Sequence, residues 1–161
     1  MNAAADSGAG AGTFLNAEGA KDPQRAQKDG RNEQSNYGEN DFSHEIIGAA
    51  VEVQRVLGVG LLEGAYAAAL ALEFRERELG FEREVPVEAW YKNQPIGLAY
   101  RANFVVEGKV LVELKAVETV TDLHRAQLLS YLRVSGHKLG LLINFHSFPV
   151  VKGIHRIVNK P

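Results

Sequence analysis

The chain has 161 residues and a formal net charge of −2, with 45% apolar residues, 24% charged residues and no cysteine. That length fits one domain of roughly 100–200 residues with a sizeable core, and the missing cysteine excludes disulfides and thiolate metal sites. No apolar run reaches the roughly 18 residues of a membrane span and the first residues lack the basic segment and apolar core of a secretory signal, so a cytoplasmic home without membrane contact is the expectation. Of the 18 basic and 20 acidic residues, 4 and 6 fall in the first forty, which leaves residues 41–161 balanced at 14 each. A strong non-specific DNA binder carries a basic face, and this balance argues against one.

Residues 1–40 are rich in Gly, Ala, Asn, Gln, Asp and Ser, with only Phe14, Leu15 and Tyr37 as larger apolar groups. Such a segment buries too little apolar area to offset its ordering entropy, so a disordered N-terminal tail is expected, followed by one domain over 41–161. Asp41 or Ser43 can cap a helix to about Leu57, in which Ile46, Ile47, Ala50, Val51, Gln54 and Leu57 recur at helical spacing. Gly58 and Gly60 break it. A second helix is expected from about Leu61 to Leu79, stopped by Gly80, with Leu62, Ala65, Tyr66, Ala69, Leu70, Glu73 and Phe74 on its packed face. Glu63 opens that helix, where the positive end of the dipole favours a carboxylate.

Phe81–Tyr91 reads as a strand, Lys92-Asn93-Gln94-Pro95 as its turn, and Ile96–Val106 and Lys109–Val117 as two further strands of an antiparallel meander. Glu107-Gly108 is the turn between the last two. Thr121 or Asp122 caps a helix over Leu123–Val134 with Leu128, Leu129 and Leu132 buried, and Gly136 closes it. Lys138–Phe145 is short and almost wholly apolar, as a strand covered on both faces should be, and the helix before it implies a parallel crossover. Ile154–Val158 is an edge strand. The order ααβββαββ makes an α/β fold around one mixed sheet.

Glu113 and Lys115 lie two apart on the third strand, so the pleat points both to one face among Val and Leu, with Asn103 nearly opposite on the second strand. A carboxylate and an ammonium there are costly to desolvate unless they pair or hold something; a surface ion pair on a half-buried hairpin is the plain alternative. The five His residues show no HxH or HExxH spacing, which argues against a His-metal centre. His124 is expected to face solvent at a helix start. Trp90-Tyr91 could stack a base but is expected to pack.

Gly60-Leu61-Leu62-Glu63-Gly64-Ala65-Tyr66 fits the signature GxxExxY, followed in order by Glu113-Leu114-Lys115, by Gln127 and Tyr131 in QLLSY, and by Gly140–Phe145. Over about residues 43–159 the chain resembles the GxxExxY protein family, grouped with the PD-(D/E)xK nuclease superfamily. The resemblance implies a restriction-endonuclease-like core and a Mg²⁺- or Mn²⁺-dependent nuclease. It makes Glu113 a metal ligand, Lys115 the water-positioning cation and Glu63 the helix-borne acid, with Gln127 and Tyr131 lining the site. Tyr66, one turn after Glu63, is expected to support that carboxylate.

Asn103 stands where the family pattern has Asp, which leaves a carbonyl oxygen without the charge. Three readings stay open: a weakened site with Glu63 and Glu113 as its charged ligands, a substitute acid such as Glu88, or an inactive member. The inactive member would act as a self-associating scaffold or a module binding protein or nucleic acid, and an edge strand is compatible with a homo-oligomer.

Overall fold

The structure is a computed structural model and describes residues 41–160. The tail expected over residues 1–40 lies outside them. Two helices, α1 (Ser43–Leu57) and α2 (Glu63–Glu76), precede the strands β1 (Phe81–Tyr91), β2 (Gln94–Val106) and β3 (Val110–Lys115). Helix α3 (Asp122–Ser135), strand β4 (Leu139–Asn144), a 3-10 turn (Val150–Gly153) and strand β5 (Ile154–Val158) complete the domain. The sheet runs β1-β2-β3-β4-β5, antiparallel except for the parallel β3–β4 pair that α3 connects. The expected order and crossover are therefore present.

Two cores cover the two faces. On one, α1 and α2 pack Ile46, Tyr66, Leu70 and Phe74 against Phe104, Val112, Leu114 and Leu141. On the other, Leu128 and Leu132 of α3 meet Tyr100, Ala102, Leu111 and Leu142. All six residues of β4 are buried, as a strand between two helical layers requires. Val112 and Leu114 face α1 and α2 while Leu111 faces α3, so the period-2 pleat puts Glu113 and Lys115 on the α3 side.

The meander changes faces partway. Phe81 and Phe104 belong to the α1–α2 core, yet Val85, Val87, Tyr100 and Ala102 belong to the α3 core. Strict alternation would keep these odd and even positions on the same sides. The inversion falls between the pairs Arg83↔Phe104 and Val85↔Ala102, where pairing skips Glu84 and Asn103 and Glu84 adopts φ 51°. The β2–β3 pairing ends there too, at Phe104↔Val112. Beyond it, residues 86–101 form a hairpin arm.

Several local expectations are corrected. Helix α2 spans Glu63–Glu76, because Glu78 with φ 57° makes the left-handed stop and the Leu79 N–H bonds back to Phe74 O; Gly80 comes after it. Leu62 and Ala65 are exposed, and the packed face is Tyr66, Ala67, Leu70, Ala71 and Phe74. At α1 neither Asp41 nor Ser43 is the cap residue; Phe42 is, while Asp41 accepts the Ser43 N–H and pairs with Arg156. Strand β2 begins at Gln94, so the turn is Lys92-Asn93, both with positive φ. Strand β3 ends at Lys115, since Val117 leaves the ladder and is held by Asn144, which accepts its N–H and donates to its carbonyl. Trp90 and Tyr91 do not pack: they are 59% and 62% exposed on the arm.

Two buried polar side chains hold the loop after β4, on the same sheet end as the Glu113–Lys115 pair. Gln54 donates to Phe145 O and Ser147 O and accepts the Val150 N–H at 2.6 Å. Asn144 also bonds His146 N–H and Ser147. This loop closes so tightly on Gly153 that an added Cβ would lie 2.5 Å from Ser147 Oγ and 2.7 Å from Asn144 O. Chemical denaturation should therefore show Gly153→Ala costing about 1–3 kcal/mol by overpacking. Gly64→Ala, at a helical position with nothing within 4 Å of the new Cβ, should instead stabilise by about 0.5–1 kcal/mol.

Candidate active site

Glu113 and Lys115 meet at the C-terminal end of β3, beside the parallel strand β4, the end of an open α/β sheet where ligands usually bind. Lys115 Nζ donates to Glu113 Oε1 at 2.7 Å, and the two side chains are only 18% and 13% exposed. The second carboxylate oxygen, Glu113 Oε2, is buried and meets no hydrogen-bond donor among the described residues. An unmet buried acceptor costs about 1–3 kcal/mol, more when charged. Burial pushes the Glu113 carboxyl above the usual range, and the negative charge of Glu63 adds to the rise; the Lys115 ammonium and the Asn103 backbone pull it partly back.

Asn103 sits where the meander inverts. Its Oδ1 accepts the Leu114 N–H at 2.7 Å, taking the place of a strand carbonyl where the β2–β3 pairing has stopped. That bond holds β2 to β3 one residue from Glu113. Glu63, half-buried at the first residue of α2, is near enough for its charge to act on Glu113. Glu88 lies exposed on the arm, paired with Leu98.

Tyr66 does not support Glu63. Its hydroxyl donates to Gly58 O and accepts the Leu61 N–H, bracing the α1–α2 connection, and its ring stacks on Phe145 at 4.5 Å. The brace positions Glu63 through the backbone that leads into it. His124 is a capping residue: its Nδ1 accepts the Thr121 N–H and its own N–H bonds Thr121 Oγ1.

On α3, Gln127 is exposed and Tyr131, one turn on, half-buried. Burial pushes the phenols of both Tyr131 and Tyr100 up, and the Glu113 charge acts on each in the same direction; both rings pack in the α3 core, on the face of the sheet that carries Glu113 and Lys115. Tyr100 was missed from the sequence; only an aromatic at a strand position close to Asn103 hinted at it.

A family model described as PD-(D/E)XK nuclease superfamily matches residues 40–157. The chain belongs to the PD-(D/E)XK nuclease superfamily, and its five-stranded mixed sheet with three helices is a restriction-endonuclease-like fold. No curated protein and no solved structure matches it. No helix among the described residues is long and apolar enough to cross a membrane.

The raised Glu113 carboxyl makes a stability prediction with a definite sign. Protonated Glu113 carries no buried charge, so the fold is least penalised below the carboxyl's unfolded pKa of about 4.3 and loses stability as pH rises through the higher folded value. Glu113→Gln removes that titration. Urea melts should find the variant's advantage over the parent small at pH 4 and larger at pH 7; a gap independent of pH would mean that burial does not govern this carboxyl.

Proposed function

We propose that the domain is a divalent-metal-dependent phosphodiesterase acting on nucleic acid, and that within its superfamily it belongs to the GxxExxY group, on the strength of Gly60, Glu63 and Tyr66. The observation that carries the activity is the buried Glu113 Oε2, which has no partner among the described residues, with Glu63 near enough for its charge to act on the same carboxyl. A hard cation suits this donor set, since Mg²⁺ or Mn²⁺ takes one or two carboxylates and completes its shell with water and phosphate oxygens. Glu113 Oε2 and Glu63 would hold it, with the Asn103 amide oxygen as a neutral neighbour. When bound, the cation supplies a water of lowered pKa and positive charge facing the phosphate.

The rest is done by the protein's own groups. Lys115 keeps one donor on Glu113 Oε1 and has others to orient the attacking water or bond a phosphate oxygen. Tyr131 and Gln127 present a donor hydroxyl and an amide from one side of α3. Sequestering Glu113 and Lys115 from water strengthens every charge interaction between them and a phosphate.

Two observations favour a second reading, a non-catalytic binding module. Asn103 is committed to Leu114, and no cluster of three acidic or histidine side chains that could hold a metal occurs among the described residues. A charge-poor site predicts weak cation affinity on either reading.

Cleavage of labelled single- and double-stranded DNA and RNA with Mg²⁺ or Mn²⁺ tests the proposal. The parent chain should cut at least one of them, chelator should stop it, and Glu113→Ala or Lys115→Ala should lower the rate about 10²-fold or more, the scale of losing a charge-stabilising group. Asn103→Asp keeps an oxygen for the Leu114 N–H and adds a charged one, so it should raise activity at low metal. An unchanged rate in Glu113→Ala would sink the proposal, and no cutting under any condition would favour the binding module.

A further inference from the structure

Tyr100 makes two contacts with one residue of α3. Its ring lies parallel to that of Tyr131, with centroids 3.7 Å apart and planes 6° from parallel. Its hydroxyl donates to the backbone carbonyl of Tyr131 at 3.1 Å. Tyr131 is thus held by side chain and main chain at once, from a strand that is not its neighbour in sequence. Tyr100 is itself fixed: it is 8% exposed and packed in the α3 core with Val87, Ala102, Leu128 and Leu132. It faces α3 only because the meander inverts at Glu84 and Asn103; with unbroken alternation it would share the face of Phe104.

Tyr131 needs such a hold. It is half-buried towards the C-terminal end of α3, and its hydroxyl has no hydrogen-bond partner among the described residues. A lone aromatic at a helix surface samples more than one rotamer. A parallel ring at 3.7 Å admits one.

We propose that Tyr100 is a positioning residue that locks the Tyr131 ring beside the Glu113–Lys115 pair, so that the Tyr131 hydroxyl meets a bound phosphodiester in a single orientation. The kinetic part of this inference rests on the nuclease reading; the positional part does not. Tyr100 touches no substrate, and its effect passes wholly through Tyr131. Pre-set geometry of this kind acts on the transition state more than on binding, and a misplacement of about 1 Å can cost about 10²-fold in rate.

The test uses the full chain with ¹³C-tyrosine and three variants. Tyr100→Phe keeps the stack and loses the hydroxyl bond, Tyr100→Leu loses both, and Tyr131→Phe identifies the Tyr131 hydroxyl's own contribution. In NMR spectra the Tyr131 ring should show slow flipping and one set of shifts in the parent, nearly the same in Tyr100→Phe, and fast averaging in Tyr100→Leu. In cleavage assays kcat should fall about 10²-fold in Tyr100→Leu with KM within about twofold, and Tyr100→Phe should recover most of it. Adding Tyr131→Phe to Tyr100→Leu should cost little more, because the hydroxyl is already misplaced. An unaltered Tyr131 ring signal in Tyr100→Leu overturns the proposal, as does a Tyr100→Leu loss confined to KM. A parent chain that cuts nothing, while Tyr131 is freed in Tyr100→Leu, removes the nuclease reading and upholds the positional hold.

Discussion

A carboxylate taken out of water asks for as many hydrogen bonds as it gave up, and Glu113 receives only part of them. One oxygen has the Lys115 ammonium at 2.7 Å; the other is buried with no donor among the described residues. A folded core rarely tolerates such a group without a reason, because removing the charge or filling its place with an apolar residue would relieve the cost. What surrounds it is arranged as if to keep it. The Asn103 bond to Leu114 holds the strand pairing beside it, Asn144 and Gln54 fix the loops at the same end of the sheet, and the Tyr66 brace sets the chain that leads into Glu63.

The inversion of the meander at Glu84 and Asn103 is the constraint that makes the site asymmetric. On the near side, β1 and β2 serve the α1–α2 core with Phe81 and Phe104; on the far side they serve α3 with Tyr100 and Ala102. The same step ends the β2–β3 ladder, so Asn103 spends its side-chain oxygen on a backbone N–H that the ladder would otherwise have satisfied. On the proposed reading a residue at this position would have two tasks, holding the strands together and facing a cation. Asn does the first as well as Asp and the second less well, having no charge to offer.

Much of this was legible in the sequence, for reasons that differ by element. The continuous apolar run of β4 and the helix before it could hardly be anything but a covered parallel strand, and Glu113 and Lys115 share a face by the pleat alone. A cap at Thr121 or Asp122 followed from their place before α3, and Thr121 is the one that accepts the His124 N–H. The inversion was hidden because it depends on one backbone conformation, φ 51° at Glu84, which a residue as ordinary as Glu does not advertise. With it went the neighbourhood of Tyr100, which simple alternation assigns to the wrong side of the sheet. Tyr66 was misjudged because helical spacing says which residues lie one turn apart, not which backbone groups a phenol will find; here it found Gly58 and Leu61. Trp90 and Tyr91 were expected to be covered because large rings usually are, and the described residues leave both exposed on the arm.

The central question for this protein is whether the free oxygen of Glu113 is the seat of a cation. The most direct measurement is calorimetric titration of Mn²⁺ into the native protein and into Glu113→Gln, which keeps the size of the side chain and one acceptor oxygen for Lys115 and removes the charge. A cation seated on Glu113 predicts one weak site in the native protein and none in the variant. Binding of equal strength in both, or none in either at millimolar metal, would contradict it and leave the buried carboxylate as a structural ion pair with Lys115.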